Sequence, residues 1–163
     1  MALYARFAKL FTRDPSLHEF WFGMARDEAR HLGALCLVST VLEIEGVLDK
    51  PSPIPIQADA IERLRLLLSR YLEEPAEALP AERALAIALE VEETELEDMV
   101  GDLLKALQGR DEYERCQRLL VHDLGELSYM IERYCQDSAL LQRCDEILNR
   151  HAETLRNLPA AGG

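Results

Sequence analysis

The amino-acid sequence predicts an all-α fold: a four-helix bundle with one long crossover connection, a short first helix and an extra C-terminal helix. Apolar residues recur at spacings of three and four along most of the chain, and no convincing alternating strand pattern appears. Aromatic residues make up only 6% of the sequence, whereas Leu, Ala, Glu and Arg are abundant, which is typical of helical proteins. The 163 residues suffice for one domain with a substantial core, so we expect a single domain over residues 1–158 and a flexible tail over 159–163.

Two helices are predicted before the first linker. The first covers residues 2–13 and ends at the sequence RDPS, where Asp14 can cap a new helix and Pro15 suits its first turn. The second helix runs over 15–48. Its apolar stripe advances in steps of four and three through Leu17, Trp21, Met24, Glu28, His31, Leu35, Val38 and Leu42. Prolines at 51, 53 and 55 exclude a helix from the linker over 49–56.

Four further helices are predicted after this linker. They cover 57–73, 81–108 and 111–136, and a last one that starts at Ser138 with Asp137 as its cap. Gly109 provides a C-terminal stop for the helix over 81–108. Two long helices, a long connection and two more long helices form a bundle with one crossover, which is the ferritin-like arrangement and not the simple up-and-down one.

Charge and hydropathy exclude several classes of partner. The formal net charge is −12, and the chain lacks the clustered Lys and Arg that bind nucleic acid or an anionic membrane surface. The first 30 residues contain no basic-then-apolar secretory signal. No apolar run approaches the roughly 18 residues that would span a bilayer. We therefore expect a cytoplasmic protein that binds neither nucleic acid nor membrane.

The cysteines limit the possible metal chemistry. No two of them form a C-x-x-C pair, so the sequence encodes neither a zinc ribbon nor a rubredoxin-type iron centre. Each cysteine lies in a helical pattern, and Cys36 and Cys116 fall on core stripes. We expect the thiols to be reduced and mostly buried, with disulfides as the alternative; the four cysteines are Cys36, Cys116, Cys135 and Cys144.

Polar residues at stripe positions indicate a candidate site. Glu28 and His31 are three residues apart and therefore project from one face of their helix, and that face is the apolar stripe. Glu92 falls between Leu89 and Leu96 in the stripe of the helix over 81–108. A buried carboxylate is costly unless it is paired or coordinates a cation, so the three side chains point to one metal-binding pocket. The alternatives are a hydrogen-bonded core histidine and a glutamate on the surface.

Two segments resemble a known family. The sequence LYARFAKLF, followed after TRDPSLHE by FWFGMARDEARHLGAL, is similar to the rubrerythrin-like branch of the ferritin-like superfamily, whose members carry Leu-Tyr, Phe-Trp and then Glu-x-x-His. The sequence ALAIALEVEETELEDMV resembles the third bundle helix of that family. The resemblance extends over about residues 3–135 and implies a site that takes a Glu from each of two helices and Glu-x-x-His from each of the other two.

The resemblance implies four metal ligands in this chain and leaves the rest of the site unfilled. Glu28 and His31 match the first Glu-x-x-His, Glu92 matches the Glu of the third bundle helix, and Glu95 matches an additional Glu. The Glu of the first helix has no counterpart, because Tyr4 is almost the start of the sequence.

The second Glu-x-x-His of the family aligns with two leucines, Leu124 and Leu127, which lie on the apolar stripe of the helix over 111–136 and which we expect to be buried. Asp123 and Glu126 keep the spacing of three and would replace the missing motif after a rotation of the helix that exposes both leucines. The other interpretation is that Asp123, Glu126 and the adjacent His122 are solvated.

Two functional hypotheses follow from these observations. The first is a metalloprotein of rubrerythrin-like ancestry with an incomplete di-iron site, at most binding a single or subunit-shared ion, iron above others. The family would imply redox chemistry with oxygen or peroxide, although the rubredoxin-type electron donor is missing. The second hypothesis is a metal-free helical bundle that acts as a binding or assembly module.

We predict a homodimer. The first helix, at about 12 residues, is too short to cover the second, and an uncovered apolar strip on a long helix favours association. The dimer should bury more than about 1,200 Å² in total, the size of a specific interface. Light scattering at micromolar concentration checks this, and a clean monomer would contradict it.

Overall fold

The computed structural model describes residues 2–44, 46, 58–73, 79–95 and 111–157. These residues form six helices and no strand, so the all-α prediction is confirmed for this part of the chain. The predicted linker over 49–56, the second half of the helix over 81–108 and the tail lie outside the described residues. The helices are α1 (Ala2–Leu10), α2 (Pro15–Ile44), α3 (Ala58–Glu73), α4 (Ala81–Glu95), α5 (Asp111–Tyr134) and α6 (Ser138–Arg156).

The break between α1 and α2 has the predicted cap. The Asp14 carboxylate accepts hydrogen bonds from the backbone N–H of Ser16 at 3.0 Å and of Leu17 at 3.1 Å, which satisfies two donors that a helix start leaves free. Helix α1 ends at Leu10, and residues 11–13 form a turn instead of the predicted last helical turn. Asp137 caps α6 in the same way, through the N–H groups of residues 139 and 140.

An aromatic cluster joins α1 to α2. The fully buried Trp21 ring stacks on Tyr4 with ring centres 5.9 Å apart and meets the edge of Phe7 at 4.8 Å. Phe20, the neighbour of Trp21 in the chain, lies 4.6 Å from it. Large aromatic side chains bury much apolar area at low entropic cost, so this cluster fixes the short α1 against the first half of α2.

Helices α2 and α5 run antiparallel in contact with each other. The Tyr134 hydroxyl, at the end of α5, donates to the Asp14 carboxylate at the start of α2, with 3.1 Å between the oxygens. Further along α2, His31 lies opposite Asp123 of α5. These two contacts join the helices at two points along their length.

The remaining helices pack around this pair. Helix α5 contacts α4 and α6, and α4 contacts α3 and α6. The Tyr71 hydroxyl of α3 donates to Glu90 of α4, while Arg6 of α1 donates to the backbone carbonyl of Tyr71. Leu124 and Leu127 of α5 are both buried in the common core, as the sequence predicted. None of the helices in the described part combines the length and hydropathy that crossing a bilayer requires.

Part of α2 is uncovered, as expected from the short first helix. Helix α1 has 9 residues against 30 in α2, and Phe22 is 60% exposed while Leu32 is 53% exposed. The homodimer stays a prediction, since only one copy of the chain is present.

We expect Phe7→Ala to lower the free energy of unfolding by about 3–5 kcal/mol, because it leaves a cavity against Trp21 in a position with no solvent exposure. Phe22→Ala removes the same side chain from an exposed position and should change stability by less than about 0.5 kcal/mol. Urea unfolding of both variants measures the difference. Equal losses would show that α1 does not pack on α2 as described.

Candidate metal centre

Two carboxylates are buried where α2 faces α5. Asp27 of α2 is 6% exposed, and Asp123 of α5 is 5% exposed. Ligand atoms of Asp27, Asp123 and the exposed His122 all lie within 4.8 Å of one another. Two carboxylate oxygens and an imidazole nitrogen form a donor set that suits a divalent transition-metal ion.

Arginine side chains of α2 compensate the charge of Asp27. Its Oδ1 accepts a hydrogen bond from Arg30 Nη1 at 2.5 Å and lies 3.7 Å from Arg26 Nε. Both arginines are more than half exposed, so the pairing draws on solvated cations and is weaker than a fully buried ion pair.

Asp123 lies between two imidazoles, one from each helix. Its Oδ2 is 3.3 Å from His31 Nε2, and its Oδ1 is 3.1 Å from His122 Nδ1. The His31 Nε2 atom is buried, and its orientation to Asp123 does not satisfy hydrogen-bond geometry, so among the described residues it has no hydrogen-bond partner. A buried nitrogen without such a bond is a group that a metal ion or a proton would satisfy.

Burial raises the pKa of Asp123. The desolvation of its carboxylate is the largest cause, and the nearby charge of Asp27 adds to it, while the hydrogen bond to His122 and the charge of His31 partly oppose it. Burial thus disfavours the ionised form of this carboxyl group. A cation beside Asp27 and Asp123 would favour the ionised form again.

The ligands predicted from the sequence are not brought together as one group. Glu28 is half-buried and belongs to no metal-binding cluster among the described residues, and His31 contacts Asp123 instead of Glu28 or Glu92. The side chain of Glu95 lies outside the described residues. The ligand set Glu28, His31, Glu92 and Glu95 therefore stays a prediction.

Glu92 is buried in a different environment. Its Oε1 accepts a hydrogen bond from the Tyr4 hydroxyl at 2.6 Å, which links α4 to α1. Its charge also contributes, after burial and the charge of Asp145, to raising the pKa of the Cys144 thiol to about 12. That thiol therefore stays protonated at neutral pH and is a poor metal ligand there.

The cysteine prediction is partly wrong. Cys144 is buried and free, as expected, and Cys135 is half-buried with its pKa raised by burial to about 11. Cys36 is exposed, although the sequence pattern put it in an apolar stripe. The side chain of Cys116 lies outside the described residues.

Sequence reasoning missed Asp27 and His122 as candidate ligands. Asp27 is three residues after Met24 and four before His31, so it satisfies the helical spacing as well as Glu28 does. The Glu-x-x-His motif nevertheless favours Glu28 as the ligand. The sequence predicts Asp123 as a ligand only if its helix rotates and exposes Leu124 and Leu127. The structure needs no rotation, because positions 123, 124 and 127 fall within an arc of about 100° on an α-helix and all three are buried.

A groove of about 330 Å³ leads to the carboxylates. Its lining comes from α2 and α5, and the three residues of the candidate metal cluster, Asp27, His122 and Asp123, form part of its wall. Its lining combines apolar, acidic and basic side chains: Ser16, Glu19, Phe20, Gly23, Met24, Arg26, Asp27, His122, Asp123, Glu126, Tyr129, Met130 and Arg133.

Comparison of the chain with models of protein families, with characterised proteins and with solved structures gives no match.

We expect Tyr4→Phe to lower the free energy of unfolding by about 1.5–3 kcal/mol, because it removes a hydrogen bond to a buried carboxylate. Tyr129→Phe, at a position 54% exposed, is the matched control and should cost less than about 0.5 kcal/mol. Denaturant unfolding measures both. In a Glu92→Gln background the loss from Tyr4→Phe should shrink, and an unchanged loss would mean that the two side chains are not coupled.

Proposed function

We propose that this protein is a metal-binding helical protein of rubrerythrin-like ancestry that holds one divalent ion, iron above others, between α2 and α5. Asp27, Asp123 and His122 would be its ligands. The observation that carries the proposal is the convergence of two almost fully buried carboxylates from neighbouring helices with imidazole nitrogens. An iron ion in this position would supply one-electron redox chemistry.

The donor set fits one ion and not two. A two-metal centre needs bridging carboxylates with capping ligands on both sides, whereas the described side chains offer a single group of three within 4.8 Å. Burial and the neighbouring charge of Asp27 raise the pKa of Asp123. One divalent ion held by the two buried carboxylates would oppose both effects.

Helix contacts support the ferritin-like part of the proposal. Helix α1 contacts α2, α2 contacts α5 and α5 contacts α4. The hydrogen bond from Tyr4 to Glu92 connects α4 back to α1. These four contacts connect four helices in a ring, as a bundle with one crossover requires, while α3 belongs to the connection. Helix α6 packs on α5 and α4 and adds Cys144 to the core.

A metal-free binding or assembly module is the second candidate, and one observation favours it. Arg30 already pairs with Asp27, and both imidazoles already flank Asp123. If the two histidines carry protons, the carboxylates are neutralised without an ion.

Metal analysis separates these candidates and tests the ligand assignment. We expect protein purified without chelator to contain iron or to bind Mn²⁺ in a calorimetric titration. Asp27→Asn and Asp123→Asn should each weaken binding more than about tenfold, equivalent to about 1.4 kcal/mol, because each removes a charged ligand. Thermal melts of the metal-free variants establish that they fold.

Glu28→Gln is the matched control, because it neutralises the adjacent carboxylate on the same helix. It should leave metal affinity within about twofold, as should Glu92→Gln. Loss of binding in these two variants with retention in Asp27→Asn would instead support the ligands predicted from the family resemblance. Absence of any metal in the unaltered protein would support the metal-free module.

A further inference from the structure

The groove beside Asp27 and Asp123 is lined by both apolar and polar side chains. Phe20 and Met24 of α2 and Met130 of α5 are buried residues of this lining. Asp27, His122 and Asp123 belong to the same lining. A cavity of about 330 Å³ is at the lower limit of sites that bind small organic molecules, which combine an apolar wall with a few polar groups.

Gly23 leaves one wall of the groove open. A Cβ atom built on this residue would meet only Arg26 Nη2, at 4.0 Å, so a larger residue would extend into free space. Glycine within a helix costs about 1 kcal/mol relative to alanine. The position thus accepts a side chain without a clash, and such a side chain would occupy the groove.

The net charge of the groove depends on whether an ion is bound. Without an ion, four carboxylates, from Glu19, Asp27, Asp123 and Glu126, outnumber the arginines Arg26 and Arg133 in the lining. An ion with two positive charges would neutralise Asp27 and Asp123 and leave the other lining charges balanced. An ion held by three protein ligands also has open coordination positions, and here all three ligands belong to the wall of the groove.

We propose that the metal-loaded protein binds a small carboxylic acid with an apolar body in this groove, the carboxylate at the ion and the body against Phe20, Met24 and Met130. This inference rests on the proposed function, since the ion makes the site attractive to an anion. The hydrophobic wall favours an aromatic or branched acid over acetate.

Benzoate and Mn²⁺ provide the test. The full chain is titrated first with Mn²⁺, and benzoate is then added while the paramagnetic relaxation of its ring protons is followed by NMR. We expect saturable relaxation with the loaded protein, beyond that with the same free Mn²⁺ concentration. Benzylamine, which has a similar shape and the opposite charge, should show none.

Gly23→Leu should keep its affinity for Mn²⁺ within about twofold and bind benzoate at least about tenfold more weakly. Gly33→Leu is the matched control, because Gly33 is an exposed glycine of the same helix outside the groove and a Cβ there meets nothing within 4 Å. It should behave as the unaltered protein in both titrations. Thermal melts check that both variants fold.

The experiment distinguishes a failure of this inference from a failure of the proposed function. Mn²⁺ uptake without benzoate relaxation, or with equal relaxation in Gly23→Leu, would overturn the inference and leave the proposed function intact. Benzoate binding that is independent of the metal would also overturn the inference. Lack of Mn²⁺ uptake, seen before benzoate is added, would overturn the proposed function and the inference with it.

Discussion

Burial of two like charges at one helix contact is the constraint around which this structure is arranged. Asp27 and Asp123 come from α2 and α5 and are each about 95% buried, within a few ångströms of one another. Such a pair repels itself and loses solvation at the same time, so both effects favour protonation or a compensating cation. Arg30, His31 and His122 surround the pair, and Arg30 is the permanently charged cation among them.

The antiparallel pairing of α2 with α5 makes this contact possible. An apolar cluster around Trp21 and the hydrogen bond between Tyr134 and Asp14 fix one end of the pair, which sets the register at the other end. With that register fixed, Asp123 lies opposite His31, and the apolar Leu124 and Leu127 turn toward the core. Asp123, Leu124 and Leu127 are therefore all buried on one side of α5. Packing of the first half of α2 against α1 and α5 holds the carboxylates in position.

Glu92 shows that a buried carboxylate does not by itself define a metal site. It is as deeply buried as Asp27, yet the Tyr4 hydroxyl donates a hydrogen bond to it, and it is not part of the candidate metal cluster of Asp27, His122 and Asp123. The neutral donor stabilises the charge of Glu92 in the core and connects α1 to α4. Among the buried carboxylates of the described residues, the pair between α2 and α5 has imidazole nitrogens and an open groove beside it, as a site for an ion would.

The sequence by itself determined the all-α class, the starts of α2 and α6 at Asp14 and Asp137, and the burial of Leu124 and Leu127. These features depend on local preferences, namely the spacing of apolar residues and the capping of free N–H groups, and both can be identified along the chain. Only the tertiary structure decided that Asp27 and not Glu28 faces Asp123, and that Glu92 pairs with Tyr4. Adjacent residues of a helix differ by about 100° in direction, so which of the two faces a neighbouring helix depends on how the helices are rotated against each other. That rotation is set by packing between residues far apart in the chain, such as Trp21 with Tyr4 and Asp14 with Tyr134, and the periodicity of one helix does not contain it.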